Sequence, residues 1–106
     1  MKYRIEFTKP ATKDYDKLDG SIRKEVNKKL AALKINPFLG EKLGNKQGYN
    51  LSSCYKLYVC SKTYRIIYRL ISPAQIEVIE IVGIGKRDKG EIYQIIFNRI
   101  IKTDID

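Results

Sequence analysis

Apolar and polar residues alternate from the first positions of the chain. Tyr3, Ile5 and Phe7 fall on one side of an extended segment over 2–7, with Lys2, Arg4 and Glu6 on the other. A period of two describes a half-buried strand. The period then lengthens: Thr8-Lys9-Pro10 supplies a cap and a proline tolerated in a first turn, and Ala11, Tyr15 and Leu18 follow at helical spacing. Asp19-Gly20-Ser21 interrupts this helix, with Ser21 placed to cap a second one. Its Ile22, Val26, Leu30 and Leu33 run on until Asn36-Pro37 stops it. Residues 38–53, broken by glycine and carrying Lys42 and Lys46, read as a loop or an irregular approach to a strand.

Alternation returns where Leu57 and Val59 oppose Lys56 and Tyr58. Ser61-Lys62-Thr63 turns the chain, and Tyr64, Ile66, Tyr68 and Leu70 then alternate with Arg65 and Arg69. After a turn at Ser72-Pro73-Ala74, a strand over 75–82 has its alternation spoiled by Glu77 and Glu80, which predicts a bulge or an edge position. Gly83-Ile84-Gly85-Lys86-Arg87 ends the sheet, and Asp88-Lys89-Gly90-Glu91 caps a last helix.

Together these elements predict an α+β fold with residues 1–106 as one domain. An N-terminal strand and helical hairpin pack on a mainly antiparallel four-stranded sheet, with a C-terminal helix after it. The helical pair covers one sheet face; the other, carrying Lys56, Tyr58, Arg65 and Arg69, is expected to be bare. Ile92, Ile95, Ile96, Phe97, Ile100 and Ile101 make the last helix more apolar than one sheet contact requires, so part of it reads as surface awaiting cover.

Charge narrows the partners. Lys and Arg number 21 against 12 Asp and Glu, a formal +9 on 106 residues, which suits nucleic acid, an acidic protein or an anionic membrane surface. No apolar run approaches the roughly 18 residues of a membrane span, and the charged N-terminus has no signal-peptide core. Cys54 and Cys60 share a predicted strand, and at about 3.3 Å per residue they stand about 20 Å apart, beyond disulfide reach. With no histidine and only two cysteines, a zinc site is not expected, and no cofactor is expected either. The expectation is a reduced, cytosolic protein.

Chemistry without histidine falls to lysine, arginine, tyrosine or carboxylate, or to a metal. Lysine and arginine bind phosphate, and aromatic faces stack bases. An RNA 2′-hydroxyl attacking its own phosphodiester builds negative charge that fixed cations stabilise. Lys56, Arg65, Lys86, Arg87 and Tyr93 gather where predicted elements meet, and so point at a phosphodiester. Each has a plainer reading: a solvated strand lysine for Lys56, cross-strand packing for Tyr58, an ion pair of Arg65 with Glu77 or Glu80, and core packing for Tyr93.

The order of these features carries a resemblance. A helical hairpin ends near Pro37; Cys54-Tyr55-Lys56 opens a strand; Tyr64-Arg65 and Tyr68 lie in its partner; Gly85-Lys86-Arg87 follows, with Tyr93 six residues on. Over nearly its whole length the chain resembles the RelE family of bacterial and archaeal toxins, within the RelE/ParE superfamily. That resemblance implies the toxin of a type II toxin–antitoxin system. Such toxins are ribosome-dependent endonucleases that cut messenger RNA in the ribosomal A site by metal-independent 2′-hydroxyl transesterification and so inhibit translation. A cognate acidic antitoxin silences the toxin in a hetero-oligomer, and no membrane is involved.

Residue by residue, the resemblance makes Lys56, Arg65, Arg87 and Tyr93 the catalytic candidates. Lys56 would stabilise the substrate phosphate, Arg65 the charged transition state and Arg87 the leaving 5′ oxygen, while Tyr93 would stack on the RNA. Tyr58, Lys86, Lys42, Lys46 and Arg69 are candidates for substrate contact. Where RelE proper places a second lysine proposed as general base, this chain has Tyr58, which leaves the base open among Lys56, Tyr58 and ribosomal RNA. Three other readings stand beside this one: a ParE-like toxin that binds DNA gyrase and cleaves nothing, a weakened homologue that only binds antitoxin or RNA, and a general basic RNA-binding domain, which would not require this ordered set.

Overall fold

A computed structural model describes residues 3–46, 48–71, 77–86 and 91–105. In chain order these form β1 (Arg4–Phe7), α1 (Lys9–Asp16), α2 (Gly20–Ile35), β2 (Glu41–Lys46), β3 (Tyr49–Val59), β4 (Tyr64–Ile71), β5 (Val78–Lys86) and α3 (Glu91–Ile105). The strands make one sheet of order β1-β5-β4-β3-β2. β1 runs parallel to β5, from Arg4 opposite Val78 to Phe7 opposite Ile81, and the other pairings are antiparallel.

The starts of α1 and α2 follow from local donor–acceptor matches. Thr8 Oγ1 accepts from Ala11 N at 3.2 Å and so caps α1. The cap of α2 is Asp19 and not Ser21, because a carboxylate also complements the positive end of the helix dipole. Asp19 Oδ1 accepts from Ile22 N at 3.1 Å and from the Ser21 hydroxyl at 2.8 Å. The backbone bond from Ile22, and after it the Ser21 bond, hold this carboxyl below the usual carboxylate range.

The sheet has five strands where the alternation predicts four, because β2 lies in the segment read as a loop. Two features erase its period. Lys42 faces Tyr55 while Gly44 faces Leu51, so β3 uses four residues against two of β2. Gly44 itself sits at φ 63°, in the left-handed region. β5 also runs to Lys86, past its predicted end. The bulge expected from Glu77 and Glu80 does not fall there, since pairing is regular from Val78 to Ile81; it lies at Val82, because Ile67 faces Gly83 but Tyr68 faces Ile81. The strand is interior rather than an edge as far as Ile81, where β1 stops. The turn expected at Ser72-Pro73-Ala74 and the capping segment 88–90 lie outside the described residues.

Two cores result, one per sheet face. Ala11, Leu18, Val26 and Leu33 from α1, α2 and their junction bury against Val59, Ile66, Tyr68, Ile79, Ile81 and Ile84. On the opposite face, Ile92, Tyr93 and Ile96 of α3 bury against Leu43, Leu51, Cys54, Ile67 and Val82. The face expected to be bare is therefore partly roofed by the last helix, while Ile95 and Ile101 remain 47% and 38% exposed. Gly83 and Gly85 permit this close approach. A Cβ on Gly83 would collide with the Ile96 side chain, and one on Gly85 would stand 2.9 Å from Ile92 Cδ1.

Beyond Ile81, side chains take over the edge of β5 that β1 leaves open. Asp14 Oδ2 accepts from Ile84 N at 3.1 Å, and Arg99 Nη1 donates to Val82 O at 2.9 Å. Arg99 and Asp14 also grip each other through two bonds of 2.8 and 3.1 Å, tying α1 to α3 across β5. No helix among the described residues is long and apolar enough to cross a membrane.

Candidate active site

Strand periodicity puts Lys56 and Tyr58 on the same face of β3. Register adds Arg65, directly opposite Tyr58 on β4, and Gly85, opposite Arg65 on β5. α3 begins just above, and its first turn contributes Tyr93. The sequence-predicted Lys56, Tyr58, Arg65 and Tyr93 thus meet at one place, the end of the sheet where α3 starts.

Their contacts are specific. Lys56 Nζ donates to Tyr58 Oη at 3.0 Å. The Arg65 guanidinium lies between two aromatic rings, 5.7 Å from the Tyr58 centroid and 5.0 Å from that of Tyr93. Arg65 Nη1 also donates to the Tyr93 hydroxyl. Tyr93 is only 7% exposed and its ring belongs to the second core. In this arrangement Tyr93 orients Arg65 and does not offer a free face for a base to stack upon, as the resemblance implied.

Arg65 is the electrostatic centre. It is 6% exposed, and among the described residues no carboxylate pairs with it. Its Nε has no hydrogen-bond partner. A buried cation without a counter-ion is unfavourable alone and favours an arriving anion. Phosphate suits the planar guanidinium fork. The ion pair of the plainer reading belongs not to Arg65 but to its neighbour: Arg69, directly opposite Glu80, holds it at 2.6 Å with both side chains mostly buried.

Of the remaining candidates, Arg69 and Lys42 stand apart from this group. Arg69 lies four residues along β4 from Arg65, about 13 Å at ordinary strand rise. It lines an apolar groove with Pro10, Val82, Ile95, Arg99 and Ile100. Lys42 is paired opposite Tyr55 and leaves from the α1–α2 face of the sheet. Lys86, opposite Tyr64, instead lines a pocket with Asp14, Gly85, Ile92, Ile95 and Arg99 at the end of β5. Arg87 and the side chain of Lys46 lie outside the described residues.

Two residues on this face escape a reading of the sequence. Lys62 Nζ stands 5.6 Å from the Tyr58 ring centroid, beside Lys56 Nζ at 5.0 Å. It gets there because Cys60, Ser61 and Lys62 all adopt left-handed backbone (φ 54°, 54° and 72°) in the β3–β4 turn. A turn without glycine does not announce that conformation. Glu41 stands opposite Lys56 across β2 and β3, on a strand the alternation did not reveal.

A family model, described as the ParE toxin of type II toxin–antitoxin systems, matches residues 5–90. The mRNA interferase toxin RelE of Escherichia coli K12 is 28% identical over 101 residues, which are 95% of this chain and 100% of that one. An arginine-to-alanine double mutant of E. coli RelE, solved in the free state, is similar at TM-score 0.73 and 30% identity, covering 94% of this chain and 99% of that one. The toxin in the intact E. coli RelBE toxin–antitoxin complex is similar at TM-score 0.60 and 26% identity, over 82% of this chain and 99% of that one.

Proposed function

The chain belongs to the ParE/RelE family of toxins of type II toxin–antitoxin systems, and we propose that it is a ribosome-dependent mRNA endonuclease that blocks translation. The observation that carries this reading is Arg65, a buried guanidinium without a carboxylate partner among the described residues, fixed between Tyr58 and Tyr93 beside Lys56. Such a site is preorganised for negative charge.

The scissile phosphate seats against Arg65 and Lys56. As the 2′ oxygen attacks phosphorus, charge grows on the nonbridging oxygens and these cations stabilise it. The P–O5′ bond then breaks, leaving a 2′,3′-cyclic phosphate on one fragment and a 5′-hydroxyl on the other. The resemblance gives Arg87 the leaving oxygen. An acidic antitoxin is the fitting partner for a chain of charge +9, laid over the basic surface and the exposed Ile95 and Ile101 of α3.

Primer extension on a defined message, with and without ribosomes, tests the proposal. Breaks that require ribosomes support it. An intact message in both lanes, together with loss of DNA supercoiling by gyrase, assigns the protein instead to a toxin that binds and does not cut.

A further inference from the structure

We propose that Tyr58 is the proton acceptor for the attacking 2′-hydroxyl, with Lys56 holding the phenol oxygen in place. The inference rests on the nuclease reading above and fills the role that its cations leave vacant. Arg65 stays protonated and has no lone pair to give. The Tyr93 oxygen already accepts from Arg65 in the second core. Lys56 Nζ is engaged as donor to the Tyr58 oxygen at 3.0 Å. Tyr58 is partly exposed.

Its surroundings favour the phenolate. Lys56 approaches the ring from β3, Lys62 from the turn and Arg65 from β4, at 5.0, 5.6 and 5.7 Å from its centroid. Among the described residues none of these three cations is paired with a carboxylate. Tyr93 lies beyond Arg65 on α3, and Glu41 faces Lys56 across β2. A free phenol ionises near pH ~10, and both a donated hydrogen bond and nearby positive charge make proton loss easier.

The step balances. Tyr58 Oη takes the proton of the 2′-hydroxyl while the 2′ oxygen bonds to phosphorus and the P–O5′ bond breaks. Water protonates the departing 5′ oxygen, and the hydroxide so formed removes the proton from Tyr58, restoring the enzyme.

Single-turnover cleavage of ribosome-bound message by the wild type, Tyr58→Phe, Tyr58→3-fluorotyrosine and Glu41→Gln decides the matter. Tyr58→Phe is expected to cut about 10²–10⁴-fold more slowly with ribosome binding retained. The more acidic fluorinated phenol is expected to move the rising limb of the pH–rate profile to lower pH, which a packing role would not do. In the free protein, tyrosinate absorbance of wild type minus Tyr58→Phe is expected to show one tyrosine ionising below the ordinary value. Near-wild-type cleavage by Tyr58→Phe overturns the inference. So does loss of cleavage in Glu41→Gln with Tyr58→Phe still active, or a Tyr58 that ionises at or above the ordinary value. A wild type that leaves ribosome-bound message intact overturns the nuclease reading itself, a result distinct from these.

Discussion

The hydroxyl of Tyr68, a side chain with no exposed surface, donates to Pro37 O at 2.8 Å and accepts from Gly40 N at 2.9 Å. One phenol thereby fastens the segment leaving α2 to the centre of the sheet. Gly40 is required there, since a Cβ would lie 2.6 Å from both Lys56 O and the Tyr68 hydroxyl. Burial pushes the Tyr68 hydroxyl above its ordinary pKa. A raised value means that the fold holds the proton more tightly than the unfolded chain does. That stability is complete below the unfolded value of about 10 and is lost as pH rises through the folded one. Tyr68→Phe leaves two backbone groups without their partner and is expected to lower stability by about 1–3 kcal/mol in urea unfolding at neutral pH. Its deficit should shrink as the titration is carried above pH ~10. The sequence showed which way Tyr68 points, through its alternation with Arg65 and Arg69. Its hydroxyl partners lie 31 and 28 residues away, and no local pattern encodes them.

Elements with an unbroken period were legible: β1, α1, α2 and β4 fall close to where alternation and capping residues put them. β2 was not, because a bulge and a left-handed glycine remove its period and only Leu43 is buried among its described side chains. The isoleucines of α3 announced a buried helix, but not that Gly83 and Gly85 let it roof the face that carries Arg65. This docking makes two predictions. Gly83→Ala forces Ile96 aside and is expected to cost about 1–3 kcal/mol, with faster amide exchange in α3 than in α2. Asp14→Ala strips partners from Ile84 N and Arg99 at once, and the same exchange measurement should show α3 loosened by about 1–3 kcal/mol. The Lys28–Glu25 pair, at 3.7 Å and largely exposed, offers a contrast: Lys28→Ala should change stability by no more than about 0.5 kcal/mol.

No single element makes the candidate site. β3 supplies Lys56 and Tyr58, β4 supplies Arg65, the turn between them supplies Lys62, and α3 supplies Tyr93. Lys56 and Arg65 were singled out in the sequence by their place in the order of features that carries the resemblance. The sandwiching of Arg65 between two tyrosines was not, since it depends on the register of β3 against β4 and on how α3 is set down. At the scale of the molecule, a charge of +9 suits polyanionic partners without regard to sequence. Arg65, 6% exposed, is the buried cation on which the proposed chemistry rests. The most direct measurement is therefore the single-turnover rate at which wild type and Arg65→Ala cut a ribosome-bound message, with ribosome occupancy measured alongside. The expected result is a rate about 10²–10³-fold lower in Arg65→Ala at undiminished occupancy. Equal rates at equal occupancy would contradict the account.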